Sequence, residues 1–355
     1  MFEVAERERA DLERQLGPPP APRGPPFGGK VAKVSWWGEP KWGRKRTGSH
    51  QFGEDLVFVK QEGEVTVVAV MDGHGPAAGT FVRRMADVLR ELLEREWSRL
   101  TVAGHEELLR EVFRELDERL CAAFPLDGGS TLTVVVVWTG EEETTVACAN
   151  VGDSEAVLVQ DGSARLLSTD HTWENPQEYA AYLERARRRG VRPLPACYGP
   201  RQVRSVPVYE EGSAEVSEDN ARKVFRKMAE EHRCVGGNQS LRKMLRVVDG
   251  QTVPMEGYLH TNWGATVDNV QISRSIGDAS QKGTVLRSDP SMSCVRVGGE
   301  EVFVVLYSDG VGDLLYVCEW PELVRSPDLF ETLSARKPYA IWDDLSLVVV
   351  SFCSR

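Results

Sequence analysis

Short valine-rich segments, bounded by glycine, proline or charged residues, recur along the chain and predict β-strands. In chain order these segments are KVAKVSWW (30–37), DLVFV (55–59), EVTVVAV (64–70), STLTVVVVWTG (130–140), TTVACANV (144–151), EAVLVQ (155–160), ARLLS (164–168), EVFVVLYSDG (301–310) and LSLVVVSFC (345–353). Asp161 and Gly162 separate two of them, and an Asp-Gly pair between apolar segments predicts a tight hairpin.

Two helices are predicted between the third and fourth of these strands. In residues 80–100 and again in residues 105–124, apolar side chains recur every three or four positions, which is the spacing of an amphipathic helix. A consecutive helix pair among strands and hairpins favours antiparallel sheets covered by helices over an alternating βαβ barrel. The expected fold class is therefore α+β.

The N-terminal part of the chain differs from the rest. Residues 3–16 are charged and predict a short helix, and the proline-rich residues 17–26 predict a stiff extended linker, with a disordered tail as the alternative. We interpret residues 1–28 as this N-terminal segment and residues 29–355 as a single domain.

Within that domain, residues 172–265 lack long apolar strands and are rich in arginine. Residues 181–246 contain 15 Lys or Arg and 8 Asp or Glu, which gives them a charge of +7, whereas the remainder of the chain carries −18. We interpret residues 172–265 as an enlarged surface insertion. Its function is open between a lid, a surface for an acidic or phosphorylated partner, and a solvated insertion with no partner.

Composition and charge narrow the class of protein. A hydrophobic content of 41% and a charged content of 27% are typical of a soluble globular protein. The net charge of −11 argues against sequence-independent binding to nucleic acid. The N-terminus is too charged for a signal peptide, no 18-residue apolar run predicts a membrane span, and seven scattered cysteines favour reduced thiols. We expect a monomeric intracellular protein of the cytoplasm or nucleus.

The chemical signal is a set of acidic residues at the ends of apolar strands. They are Asp72, Asp153, Asp309, the pair Glu54 and Asp55, and the pair Asp343 and Asp344. One such acid is usually a turn or cap residue, but five sites are expected to converge where strands lie side by side. Converging carboxylates repel one another unless a cation lies among them. Oxygen ligands and few histidines favour Mg²⁺ or Mn²⁺ over zinc, and two such ions would hold a hydroxide for attack on phosphorus.

These acids lie in sequence blocks that resemble the metal-dependent Ser/Thr protein phosphatases of type 2C, the PPM family. In family order the matching blocks are GEDLVFV, VVAVMDGHG, GSTLTVVVV, ANVGDSEAVLV, LLSTDHTWENPQE, SRSIGD, LYSDGVGDLL and DDLSLVVV, which span about residues 30 to 353. The resemblance implies a four-layer α-β-β-α sandwich in which two mainly antiparallel sheets are flanked by helices. It also implies hydrolysis of phosphoserine and phosphothreonine by a hydroxide held between two Mg²⁺ or Mn²⁺ ions.

The resemblance assigns metal ligands to individual residues. Asp72 would bridge the two metals and Gly73 would give its backbone carbonyl. Asp309 and Asp343 would complete one metal site, although Asp344 is an alternative to Asp343. The remaining ligands implied are Glu54 and Asp55, which would hold metal-bound waters, and Asp153, Asp309 and Asp313 for a weaker third metal, with a helix cap as the alternative for Asp313.

Other residues of these blocks have different implied functions. His74 would be the general acid that protonates the leaving serine or threonine oxygen, or would orient a metal-bound water instead. We interpret Ser130 and Thr131 as the opening of a core strand. Arg274 and Asp278, in SRSIGD, are expected to pair or cap, and we leave them outside the site.

One position departs from the family pattern. Many members carry an arginine four residues before the Glu-Asp pair, where it grips substrate phosphate, whereas this chain has His50. Arg44, Lys45 or Arg46 are candidates to replace it. The departure supports an alternative function, a pseudophosphatase of the same fold that regulates a partner protein, while the retained metal acids favour the enzyme. A phosphohydrolase acting on small molecules is a third hypothesis.

Overall fold

The computed structural model describes many of the segments that carry the predicted strands and strand-end acids. The described residues are 32–39, 54–75, 77–125, 128–140, 143–173, 175–198, 206–210, 213, 215, 217, 245–248, 251–254, 265–268, 270–298, 301–312, 314–315, 317–336 and 344–352. The predicted N-terminal helix and linker, His50 with its three neighbouring basic candidates, Asp313 and Asp343 lie outside them.

Most described residues lie in strands and helices. The strands are β1 (Lys33–Glu39), β2 (Asp55–Glu62), β3 (Val65–His74), β4 (Gly129–Ser130), β5 (Leu132–Thr139), β6 (Thr144–Val151), β7 (Glu155–Gln160), β8 (Ser163–Leu166), β9 (Cys197–Tyr198), β10 (Val206–Pro207), β11 (Leu245–Val248), β12 (Gln251–Pro254), β13 (Ala265–Thr266), β14 (Ile276–Gly277), β15 (Ser291–Val297), β16 (Val302–Tyr307) and β17 (Leu345–Phe352). The helices are α1 (Ala78–Glu96), α2 (His105–Ala123), α3 (Pro176–Arg188), α4 (Asp309–Gly312), α5 (Trp320–Leu323) and α6 (Leu329–Arg336), with 3-10 turns at Trp97–Arg99 and Val317–Glu319.

Two antiparallel sheets form the centre of the fold. The first has the strand order β14-β4-β3-β5-β6-β15, with β2 paired to β3, and the second has the order β1-β17-β16-β7-β8. Each central strand alternates its side chains between two cores, because successive residues of a strand point to opposite faces. In β3, Val67, Ala69 and Met71 pack beneath the helices, whereas Val68 and Val70 pack between the sheets.

Helices cover the outer face of each sheet. Side chains of α1 and α2 pack against β3, β5 and β6, and residues of α5 and α6 pack against β7, β16 and β17. Because both faces of the central strands are covered, β5 is buried along its whole length, which explains its run of apolar residues from Val134 to Trp138. The four layers confirm the predicted α-β-β-α sandwich.

The predicted hairpin at Asp161 and Gly162 is also confirmed. Both residues have a positive φ, +51° and +75°, and β7 pairs with β8 across them. A two-residue turn with positive φ at both positions matches the right-handed twist of the flanking strands, and glycine and aspartate tolerate that conformation best.

The described start of the arginine-rich insertion packs against the chain that follows it. Helix α3 begins at a cap formed by Asn175, whose side chain accepts a hydrogen bond from the Gln177 amide at 3.0 Å. Tyr179 and Tyr182 of α3 share a small apolar cluster with Val285 and Leu286. In the part of the chain that the structure describes, no helix is long and apolar enough to cross a membrane.

Candidate metal and phosphoryl-transfer site

The strand-end acids meet where β2 begins and β3 ends. Asp55, the first residue of β2, is directly opposite Asp72 of β3 in the antiparallel ladder. In the second sheet, β16 ends just before Ser308 and Asp309, and Asp344 directly precedes β17. Since β16 and β17 are antiparallel neighbours, the end of one lies beside the start of the other. Four strand ends therefore deliver carboxylates to one edge of the sandwich.

The Asp55 carboxylate has an environment that opposes its negative charge. Burial raises its pKa from 3.8 to about 7, and the nearby charges of Asp344 and Asp309 add to the effect, although a hydrogen bond from Ser308 opposes it. Burial and like charges both disfavour an ionised carboxyl. A bound cation would favour the ionised carboxyl and so oppose the effects of burial and of the neighbouring carboxylates.

Two carboxylate oxygens of this cluster lack a hydrogen-bond partner. Oδ2 of Asp55 and Oδ1 of Asp309 are buried and accept no hydrogen bond. Most buried polar atoms in proteins are paired, so unpaired oxygens on two carboxylates close enough to affect each other's charge are suited to a ligand. Oxygen donors of this kind fit Mg²⁺ or Mn²⁺. Among the described residues, however, no three His, Cys, Asp or Glu side chains form a preassembled metal cage.

Asp344, the alternative to Asp343, joins the two sheets. Its Oδ2 accepts a hydrogen bond from the Glu54 backbone amide at 2.5 Å, and the Glu54 carbonyl accepts one from the Gly73 amide at 2.9 Å. The Asp344 residue is 4% exposed. The structure thus brings Asp344 to the Asp55 cluster, while Asp343 lies outside the described residues. The choice between them as the ligand remains a prediction.

Asp72 is fixed by a polar scaffold in the GST block. Its amide donates to Thr131 Oγ1 at 3.1 Å, and its carbonyl accepts from the Thr131 amide and from Ser130 Oγ, both at 2.9 Å. Thr131 Oγ1 is also 2.7 Å from Ser154 Oγ. Because Ser154 follows Asp153, this bond attaches the Asp153 turn to the backbone of Asp72.

Gly73 has a steric reason to be glycine. A Cβ atom at this position would lie 2.7 Å from Val82 Cγ1 and 2.8 Å from the Glu54 carbonyl oxygen. Such distances force the neighbouring atoms to move, and one of them belongs to the backbone. Helix α1 therefore packs closely on the end of β3 only because residue 73 lacks a side chain.

His74 is paired with an aspartate that sequence reasoning left outside the site. Its Nε2 lies 2.8 Å from Oδ2 of Asp278, in the SRSIGD block. Burial tends to raise the pKa of Asp278, but hydrogen bonds from His74 and Ser275 and the charge of Lys282 hold it below its ordinary value. The sequence signal was the Gly-Asp pair after a short apolar strand, which also fits a plain turn.

Arg274, the basic residue of that block, was expected to pair or cap, and it forms an ion pair. Its guanidinium contacts Glu178 at 2.5 and 3.0 Å, and both side chains are under 10% exposed. Arg287 approaches the same carboxylate at 3.1 Å. This buried cluster lies between α3 and the segment that follows Asp278, so it supports the fold beside the site.

Comparison with known proteins links this geometry to a family. The family model for protein phosphatase 2C matches residues 38–181 and 246–328. Its unmatched gap falls inside the arginine-rich insertion. Among curated relatives, mitochondrial protein phosphatase 1K of Xenopus laevis is 34% identical over 32% of this chain and 31% of its own length. Probable protein phosphatase 2C 62 of Oryza sativa subsp. japonica is 30% identical over 36% of this chain and 44% of its own length.

The alignments with these curated relatives cover less than half of each relative's length. Solved structures match over nearly the whole fold. Serine-threonine phosphatase 2C from Toxoplasma gondii superimposes with a TM-score of 0.56 at 15% identity, covering 92% of this chain and 97% of that one. The S. agalactiae serine/threonine phosphatase gives a TM-score of 0.53 at 14% identity, covering 90% and 99%. The matched family model and the shared fold show that this chain belongs to the protein phosphatase 2C family.

Proposed function

We propose that this chain hydrolyses phosphoserine and phosphothreonine in proteins, with two Mg²⁺ or Mn²⁺ ions bound at the strand-end carboxylates and a weaker third ion. The observation that carries the proposal is the pair of unpaired, buried carboxylate oxygens on Asp55 and Asp309 in a member of the protein phosphatase 2C family. Acids that only capped turns would be expected to have hydrogen-bond partners instead.

The residues proposed to hold the metals follow the sequence prediction. They are Asp72, the carbonyl of Gly73, Glu54, Asp55, Asp309 and either Asp343 or Asp344, with Asp153 and Asp313 for the third ion. When bound, divalent ions lower the pKa of a coordinated water and neutralise charge on a phosphoryl group. Hydrogen bonds with Thr131 and Ser130 fix the backbone of Asp72, which supports its assignment as a ligand at a defined position.

We assign His74 the role of general acid. A serine or threonine alkoxide is a poor leaving group, so a proton must reach the oxygen as the P–O bond breaks. The imidazole of His74 is 37% exposed and lies two residues after Asp72, within reach of a phosphoryl group bound there. The His74 ring would give a proton to the leaving oxygen, and solvent would then return a proton to the ring.

A metal-dependence assay tests this function. Purified protein receives a phosphothreonine peptide with Mn²⁺ or with EDTA, and Asp309→Ala is compared with Asp161→Ala, which alters only an exposed hairpin turn. We expect turnover that requires Mn²⁺ and falls by at least about a hundredfold in Asp309→Ala. Turnover in EDTA, or equal rates in the two variants, would contradict the proposal.

The same assay separates the alternatives. Absence of turnover on every substrate, with retained Mn²⁺ binding, would favour the pseudophosphatase that His50 supports. Hydrolysis of small phosphate esters without hydrolysis of any phosphopeptide would favour a small-molecule phosphohydrolase.

The phosphorylated or acidic partner proposed for the insertion has support from the exposed side chains of Arg187, Arg189 and Arg192. That the protein is a monomer, and that it is located in the cytoplasm or nucleus, remain predictions.

A further inference from the structure

The contact between His74 and Asp278 joins two distant parts of the chain. The two residues are 204 positions apart, and their side chains meet at 2.8 Å. The Asp278 side chain is 16% exposed and the imidazole 37%, so the histidine is on the solvent side of the pair.

The backbone around the pair is shaped to allow the contact. A Cβ atom on Gly129 would lie 2.2 Å from Asp278 Oδ2 and 2.4 Å from His74 Nε2. Any side chain at residue 129 would therefore displace one member of the pair. Asp278 itself has a φ of +52°, a left-handed conformation that aspartate and asparagine tolerate better than most residues. The absence of a side chain at Gly129 and the left-handed backbone of Asp278 therefore occur together at the contact between His74 and Asp278.

A second set of bonds holds the Asp278 segment in place. Asp117 of helix α2 accepts hydrogen bonds from the Gly277 amide and from Ser288 Oγ, both at 2.8 Å, and pairs with Lys282 at 3.1 Å. Ser275 Oγ donates to the same Asp278 oxygen that faces His74, at 2.6 Å. Ser275 therefore holds the carboxylate directly, and Asp117 of helix α2 holds residues before and after Asp278.

We propose that Asp278 is a positioning residue for His74: it accepts a hydrogen bond from Nε2–H, fixes the ring, and leaves Nδ1 as the nitrogen that gives its proton to the leaving oxygen. This inference rests on the proposed phosphatase function. A carboxylate can only accept, so the nitrogen that faces it must carry a hydrogen. As the oxygen of an attacking water bonds to phosphorus and the P–O bond to serine or threonine breaks, the Nδ1 proton passes to the leaving oxygen, and the ring keeps its Nε2 proton.

The leaving group distinguishes positioning from general support of the fold. A phosphothreonine peptide needs a proton on its leaving oxygen, whereas p-nitrophenyl phosphate releases a stable phenolate without one. With Mn²⁺ saturating, Asp278→Asn should lower kcat on the peptide by about 10- to 100-fold with KM little changed, and kcat on the aryl phosphate by less than about threefold. In a His74→Ala background, Asp278→Asn should have no further effect on the peptide.

The matched control is Asp161→Asn, because Asp161 also has a positive φ, +51°, and lies in the exposed β7–β8 turn. It should leave both rates unchanged. Ser275→Ala is the milder second variant, since it loosens Asp278 without removing it, and it should give a smaller loss that is again confined to the peptide. Equal loss on both substrates, or a full additional loss in the His74→Ala background, would overturn the proposal.

A readout without turnover separates this inference from the proposed function. In metal-free protein, ¹⁵N NMR of the His74 ring should show a slowly exchanging Nε2–H that disappears in Asp278→Asn and persists in Asp161→Asn. An identical ring signal in Asp278→Asn would overturn the positioning role. A wild type that shows the Nε2–H signal but hydrolyses neither substrate would overturn the proton transfer together with the phosphatase, while the pairing would stand.

Discussion

Asp55 and Glu178 both have buried carboxylates near charged groups, yet their pKa values are shifted in opposite directions. Glu178 is 4% exposed and is contacted by Arg274, Arg287 and Ser273. Although burial opposes it, hydrogen bonds from Arg274 lower the pKa of Glu178 to about 2. Asp55 has aspartates for neighbours, and burial with their charge raises its pKa to about 7. The protein supplies basic counterions for Glu178, whereas the charges that act on Asp55 come from two other carboxylates.

The largest expected effect comes from removing the counterion of Glu178. Arg274→Met would leave a buried carboxylate with only part of its compensation, which typically costs about 3–5 kcal/mol of unfolding free energy. Urea denaturation of metal-free protein measures the change. Arg325→Met is the control, because its pair with Glu301 is largely exposed and should contribute less than about 1 kcal/mol. Similar losses in the two variants would contradict the comparison.

A divalent cation should have the next largest effect on the free energy of unfolding, and it should act through the carboxylates around Asp55. At a concentration of one hundred times its dissociation constant, Mn²⁺ is expected to stabilise the wild type by about 2.7 kcal/mol, because it binds the folded chain alone. Differential scanning calorimetry with Mn²⁺ or EDTA checks this. Asp309→Asn should lose most of the stabilisation, and Asp161→Asn should keep it. Equal stabilisation of both variants would mean that the cation binds elsewhere.

The pH dependence of stability should also have opposite signs at the two carboxylates. The pKa of Asp55 is raised on folding, so its stabilising contribution is complete below about pH 4 and is lost as pH rises through about 7. The pKa of Glu178 is lowered, so its contribution is complete above about pH 4.5 and is lost as pH falls through about 2.

In EDTA, raising the pH from 5 to 8 should therefore cost the wild type on the order of 2 kcal/mol more than Asp55→Asn. Urea denaturation at several pH values gives both curves, and Mn²⁺ should remove the difference by neutralising the cluster. Parallel curves for the wild type and Asp55→Asn would show that the carboxyl ionises without cost. Between pH 5 and 8 Glu178 should contribute no slope.

The fold followed from the sequence because its signals are local. Valine-rich segments bounded by glycine, proline or charged residues located the strands, and the spacing of apolar residues located α1 and α2 within a few positions. The strand-end acids could be predicted for the same reason, since an acid after a buried strand is visible without knowing what lies opposite. Asp55 facing Asp72 then follows from the antiparallel ladder.

The partners of these residues could not be predicted, because they depend on contacts between distant segments. Arg274 was expected to pair, but nothing in its neighbourhood identifies Glu178, which lies 96 residues earlier. Asp278 was likewise expected to pair or cap, but nothing near it in the sequence identifies His74, which lies 204 residues earlier. The contacts of Glu54 were harder still to predict, because its backbone amide and carbonyl form the bonds to Asp344 and Gly73. The type of side chain at residue 54 does not indicate these bonds.

That backbone contact has a consequence for biosynthesis. The Glu54 amide and the Asp344 carboxylate are 290 residues apart, and β17 is inserted between β1 and β16 in the second sheet. A ribosome would release most of the sandwich before it released the strand that completes this edge. The carboxylate cluster can therefore assemble only after Asp344 has been synthesised, because loop closure over such a separation must await both partners. A growing chain that has reached the end of β15 contains every strand of the first sheet and still lacks Asp344.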